Sequence, residues 1–167
     1  MIQANELGKR LKDWHWTIAT AESCTAGGIG AAIASVDGAS SYFKGGVISY
    51  ATEVKIDVLG VNPDIIQTHG VVSAQTVVAM NRGVRKLLGT DMAISISGYA
   101  GSSGGDEFAA NGTIWICVGS DLFHETTQCI MVHGNRKDNL QQAIETALQM
   151  AVDYLDSNEK ECKITRG

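Results

Sequence analysis

Apolar and polar residues alternate along the chain in blocks that change period. Leu7 and Leu11, four apart in a polar stretch, predict a short amphipathic helix over residues 3–13. Trp14 and Trp16 lead into a compact strand over 17–20, and the small-residue run 29–36 has helical spacing with almost no bulk, so a helix there packs close to a sheet. Gly45-Gly46 precede a strand over 47–50, and a short helix over 53–59 ends near Gly60 and Pro63. Ser73 then serves as N-cap to a helix carrying Val77, Val78, Met80, Val84, Leu87 and Leu88, which stops at Gly89. A strand over 91–97 runs into the glycine-rich loop Gly98 to Gly105, and strands follow over 113–118 and 126–133. A long helix is expected over 137–155, and the polar stretch 157–167 is expected to fray.

Helices interleaved with short apolar strands define an α/β layered domain, and the adjacent strands near the C-terminal end add a hairpin, so the sheet is mixed. Ligands in such sheets gather where strand ends meet helix N-termini. Two places have that form, the turn at Ser23 and the loop from Gly98.

Composition narrows the class. The 167 residues are 44% hydrophobic and 19% charged with a single proline, which fits one globular domain, taken as residues 1–156. Thirteen Lys and Arg against eighteen Asp and Glu give −5 without a long basic cluster, so nucleic acid is not an expected partner. No apolar run approaches the ~20 residues of a membrane span, and no signal peptide is evident, so a membrane is not an expected partner either. Cys24, Cys117, Cys129 and Cys162 form no C-x-x-C pair, and reduced thiols fit a cytoplasmic protein.

Ser23, at a strand-to-helix turn, reads in two ways. It is either a nucleophile facing backbone N–H groups that hold an oxyanion, or only an N-cap, a role Thr25 shares. Glu22 either binds a polar ligand group or favours the helix N-terminus. None of His15, His69, His124 and His133 is a persuasive base, whereas a desolvated lysine can accept a serine proton, and Lys55 lies in an apolar stretch just after a strand. Ser41-Tyr42-Phe43-Lys44 matches S-x-x-K, but no S-D-N or K-T-G accompanies it. The Gly98 loop offers N–H groups to a phosphate without being a nucleotide-binding fingerprint. Asp106-Glu107 reads as a solvated loop tip, Cys24 as a small buried apolar residue, and Arg136 as an anion ligand or a surface charge.

Several pieces coincide in order and spacing: Thr20-Ala21-Glu22-Ser23-Cys24-Thr25-Ala26-Gly27, Tyr50-Ala51-Thr52-Glu53-Val54-Lys55, Ser95-Ile96-Ser97-Gly98-Tyr99-Ala100-Gly101 and Gly112-Thr113-Ile114-Trp115. Over residues 5–155 the chain resembles the CinA C-terminal domain family, the nicotinamide-nucleotide amidohydrolases. The resemblance implies a three-layer α/β/α sandwich with a mixed, mostly parallel sheet, and a homo-oligomer. It also implies deamidation of nicotinamide mononucleotide to nicotinic acid mononucleotide and ammonia, a step of pyridine-nucleotide salvage that needs no metal or organic cofactor. By motif, Ser23 is then the nucleophile and Lys55 its base. Ala21, Glu22, Thr25, Tyr50, Gly98, Tyr99, Ala100 and Gly101 line the substrate site, with the phosphate near Arg136 or the glycine-loop N–H groups. Fused members carry a further N-terminal domain with a pyrophosphatase role, which is not expected here.

The sequence departs from the family pattern at Tyr99, where a smaller residue is usual, at Ser102, which replaces a proline, and at Ala109-Ala110-Asn111, where a proline is more common. Leu140 stands where some members carry a second arginine. These departures keep two alternatives open: a catalytically silent module that binds a nucleotide or related metabolite, and a serine–lysine hydrolase of another small amide.

Overall fold

Strands covered on both faces show no alternation, and β1 (Ile18–Glu22) and β3 (Met92–Gly98) are buried along nearly their whole length. They are the centre of a five-stranded sheet of order β2-β1-β3-β4-β5, in a computed structural model that describes residues 1–165, Cys162 and Thr165 by their backbone alone. β2 (Phe43–Ile48) and β3 pair parallel with β1, whereas β4 (Thr113–Ser120) pairs antiparallel with β3 and with β5 (His124–Met131). Only β4 therefore runs against the other strands, and the sheet is mixed and mostly parallel, as expected.

The two faces carry different side chains. Ala19, Ala21, Ala93 and Cys117 meet Val77, Met80 and Val84 of α5 (Ala74–Leu88) on one side. Ile18, Ile94, Ile96 and Ile116 meet the other layer, built from Leu7 and Leu11 of α1 (Ile2–Trp14), Ile29 and Ile33 of α2 (Gly28–Ala34), and Ala147, Leu148 and Ala151 of α6 (Arg136–Thr165). This is the expected three-layer sandwich. α2 lies close on the sheet because its residues are small, and a Cβ on Gly30 would stand 3.2 Å from Phe43 and 3.4 Å from Thr20 Oγ1.

Short helices α3 (Thr52–Asp57) and α4 (Pro63–His69) link β2 to α5. α4 goes beyond the sequence reading, which took Pro63 only as a stop. Asn62 accepts from Asp64 N–H and proline occupies the first helical position, so the residue that ends one helix opens the next. The cap readings at α5 hold, with Ser73 Oγ accepting from Thr76 N–H and Gly89 left-handed at φ 62°.

α6 differs from expectation at its end. It continues to Thr165, so most of the stretch expected to fray is helical, and Arg166 and Gly167 lie outside the described residues. Nothing between Ser157 and Thr165 breaks a helix, and Glu159 pairs with Lys163 one turn on. Among the described residues no helix is long and apolar enough to cross a membrane.

Candidate active site

At the carboxyl end of β1 the chain leaves the sheet through a tight turn. Ser23 donates its N–H to Ile96 O at 3.1 Å, which anchors the turn to β3. Ala26 and Gly27 both have positive φ, 47° and 94°. The alanine pays roughly 1–2 kcal/mol for that conformation, so the surrounding contacts must hold it.

Glu22 supplies those contacts. Its carboxylate is 1% exposed and accepts from Thr25 Oγ1 at 2.7 Å, Ile29 N–H at 2.8 Å and Gly30 N–H at 2.9 Å. This corrects the sequence reading at three points. Glu22 faces the start of α2 and Thr25 is spent on it, while Ala21 is buried beneath α5; none of the three lines the cavity described below. The N-cap of α2 is Gly27, so neither Ser23 nor Thr25 caps it. The first donors of α2 are already filled, so that helix start is not an oxyanion site.

Lys55 reaches Ser23 from across the sequence. Its chain is 1% exposed, and Nζ donates to Ser23 Oγ at 3.0 Å and to the carbonyl of Ser49 in a short bond. Ser49 in turn gives its N–H to Glu22 O at 2.8 Å, so the segment ahead of α3 is stitched to the end of β1. Among the described residues no carboxylate is paired with Lys55, and burial pulls its ammonium down to about 8 from the ordinary 10.5. A lysine held there is partly neutral near neutral pH and able to take a proton.

Ser23 and Lys55 open into a cavity of about 230 Å3, with Tyr50 and Arg136 at its rim and Gly98 to Gly101 along one wall. Gly98 is required by contact, because a Cβ there would lie 2.6 Å from Ile114 Cγ1. Arg136 opens α6, gives Nη2 to Tyr50 Oη at 3.2 Å, and has no carboxylate partner among the described residues. A Cβ on Gly101 would sit 3.4 Å from Arg136 Nη1, so the arginine lies over the loop. Among the described residues the N–H groups of Cys24, Ala100 and Gly101 are paired with no protein acceptor, and all three residues line the cavity.

Tyr99 forms a wall with its hydroxyl turned away. It donates to Asp106 Oδ2 at 2.8 Å, and burial together with that carboxylate pushes the phenol up to about 12. The loop from Tyr99 to Gly112 closes on itself: Tyr99 N–H reaches Thr113 O and Gly112 N–H reaches Tyr99 O, both at 2.9 Å, with a bridge between Gly105 and Ala110. Asp106 organises that loop by accepting from the N–H groups of Phe108 and Ala109. Leu140 packs on the apolar cluster under α6 and does not line the cavity.

The cavity thus joins Ser23, Lys55, Tyr50, Gly98, Tyr99, Ala100, Gly101 and Arg136. Sequence reasoning missed Thr52, Val71, Val72, Ser97 and Ser103 as lining residues. Ser97 Oγ donates to Val71 O at 2.9 Å, a contact between distant segments for which the sequence carries no local signal. Cys24 also lines the cavity, and burial pushes its thiol up to about 11, so it is not ionised. Ser41 bonds the Gly38 carbonyl and Lys44 lies in β2, so the S-x-x-K match forms no site. Among the described residues no group of His, Cys, Asp and Glu is placed to hold a metal ion.

Known proteins share both sequence and fold. A CinA-like protein of Synechocystis is 42% identical over 134 residues, 80% of this chain and 32% of its own. A CinA-like protein of Mycobacterium marinum is 40% identical over 133 residues, 80% of this chain and 31% of its own. The chain therefore spans about a third of the length of these curated relatives. The crystal structure of a competence or damage-inducible protein from Enterobacter asburiae superposes with a TM-score of 0.88 at 29% identity, covering 92% of this chain and 96% of that one. A CinA-superfamily protein from Klebsiella pneumoniae gives 0.89 at 30%, covering 93% and 97%. The family model of the CinA C-terminal domain matches residues 2–155, the segment that carries the turn at Ser23, the buried Lys55, the glycine loop and Arg136. The chain belongs to the CinA C-terminal domain family.

Proposed function

We propose that this chain is an amidohydrolase that converts nicotinamide mononucleotide to nicotinic acid mononucleotide and ammonia through Ser23 and Lys55. The observation that carries the reading is the 3.0 Å contact between Lys55 Nζ and Ser23 Oγ, with the lysine buried and without a carboxylate partner among the described residues. In its neutral form Lys55 takes the hydroxyl proton as Ser23 Oγ attacks the carboxamide carbon. The Ser49 carbonyl holds one N–H of Nζ and so orients its lone pair. The Cys24 N–H is an available donor for the developing oxyanion. Lys55 then returns the proton to the departing nitrogen, ammonia leaves, and water activated by the same amine hydrolyses the acyl-serine. Arg136 and the N–H groups of Ala100 and Gly101 suit the phosphate, since a guanidinium and backbone amides together form a charge-assisted anion cradle.

One observation favours a second reading, a serine–lysine hydrolase of a smaller amide. The cavity of about 230 Å3 falls short of the ~300 Å3 at which small-molecule sites usually begin, and the Tyr99 ring forms part of its wall. Ammonia release from nicotinamide mononucleotide, by the wild type beside Ser23→Ala, tests the first reading. Release by the wild type alone supports it, and release by neither overturns it. Gain of turnover in Tyr99→Thr then points to the second.

A further inference from the structure

The glycine loop and Arg136 belong to segments far apart in the sequence, and one buried side chain joins them. Asn139, 2% exposed, lies one turn into α6. Its Nδ2 donates to Ala100 O at 3.0 Å and to Gly134 O at 2.8 Å, and its Oδ1 accepts from Gly134 N–H at 2.9 Å. Gly134 is two residues before Arg136. Asn135 holds the helix start between them, accepting from Asp138 N–H at 2.9 Å and donating to Asp138 Oδ2 at 2.8 Å.

The consequence lies on the loop side. The carbonyls of Tyr99, Ala100 and Gly101 are taken in turn by Gly112 N–H at 2.9 Å, Asn139 Nδ2 at 3.0 Å and Asn111 Nδ2 at 3.2 Å. The N–H groups of Ala100 and Gly101 are left without a protein acceptor among the described residues. Of the three carbonyl partners, Asn139 alone also holds the turn that carries Arg136.

We propose that Asn139 is a positioning residue for substrate binding, whose single amide clamps the glycine loop to the turn at Gly134 and so sets Ala100, Gly101 and Arg136 in register around one phosphomonoester. The proposal rests on the preceding reading for the identity of the ligand but not for its chemistry. A leucine of similar volume would leave two carbonyls and one N–H of the clamp unpaired.

The test is equilibrium binding rather than turnover. Dissociation constants for nicotinic acid mononucleotide and nicotinic acid riboside, which lacks the phosphate, are measured on the wild type, Arg136→Ala, Asn139→Ala, Asn139→Ser and the double variant Asn139→Ala/Arg136→Ala. Circular dichroism establishes folding, and Asn139→Ser covers the case in which Asn139→Ala fails to fold. The wild type is expected to favour the mononucleotide by about tenfold or more, as charge-assisted contacts imply. Each Asn139 variant should lose most of that preference while keeping its affinity for the riboside, and the double variant should lose less than the sum of the Asn139→Ala and Arg136→Ala losses. A merely structural role would lower the melting temperature and weaken both ligands alike, and that result overturns the proposal. So does a wild type that binds both ligands equally or neither. A wild type that prefers the mononucleotide but releases no ammonia from nicotinamide mononucleotide sinks the deamidase reading and leaves the clamp standing.

Discussion

Lys55 is the residue on which pH acts. Burial holds its ammonium near 8, so kcat/KM on any amide the site accepts should rise with pH and level off above about 8. Stability should follow the same group. Between about 8 and the ordinary 10.5 the unfolded chain binds the proton and the folded chain does not, so raising the pH stabilises the native state. Measured against Lys55→Met by urea denaturation, the wild type should gain up to about 3 kcal/mol between pH 7 and pH 10.5, since one pKa unit is about 1.4 kcal/mol. Ser23 was legible as a candidate, nucleophile or N-cap, because it follows a strand and precedes small residues, and the structure removes the N-cap reading. Lys55 was legible only as a candidate base in an apolar stretch after a strand. Its contact with Ser23 was not, because the two are 32 positions apart and no local period joins them, and the pairing itself was implied by the resemblance. For Glu22 the helix-start alternative holds, and the place in the substrate site that the resemblance implied does not. A carboxylate beside a serine looks like a ligand, and only the fold turns it onto the N–H groups of Ile29 and Gly30.

At the scale of elements, the turn between β1 and α2 depends on that carboxylate. Glu22→Gln replaces a charged acceptor facing three donors by an amide that must point an NH2 at one of them. It should cost about 2 kcal/mol, seen as a lower urea midpoint at unchanged slope, and should reduce activity with it. Tyr42 offers the opposite case. Among the described residues its hydroxyl is buried without a partner, close to Gly8, so Tyr42→Phe should leave the thermal midpoint unchanged or raise stability by about 1 kcal/mol. Most elements were legible from period and caps, as α5 with Ser73 and Gly89 shows. Two of the discrepancies have local causes. Pro63 was read for what it ends and not for what it begins, and the polar stretch after Leu155 lacks an apolar stripe yet has nothing to stop a helix already under way.

For the whole molecule, the order β2-β1-β3 places successive connections on opposite sides of β1, and the cavity lies at the carboxyl ends where they part. The α/β class followed from alternating patterns alone, whereas the strand order rests on contacts that sequence periodicity does not encode. The site divides electrostatically: Ser23 and Lys55 are buried, and Arg136 is exposed at the rim. Raising salt from about 0.05 to 0.5 M should therefore raise KM for a phosphate-bearing amide and leave kcat nearly constant, because screening reaches exposed charges first. The loop that carries Tyr99 and Asp106 enters and leaves the sheet at neighbouring points, Tyr99 against Gly112 and Thr113. A segment anchored in that way can be lengthened, shortened or exchanged between relatives without disturbing a strand. On the proposed amidohydrolase reading, selectivity for the amide would thus be inherited as a cassette, apart from Ser23 and Lys55.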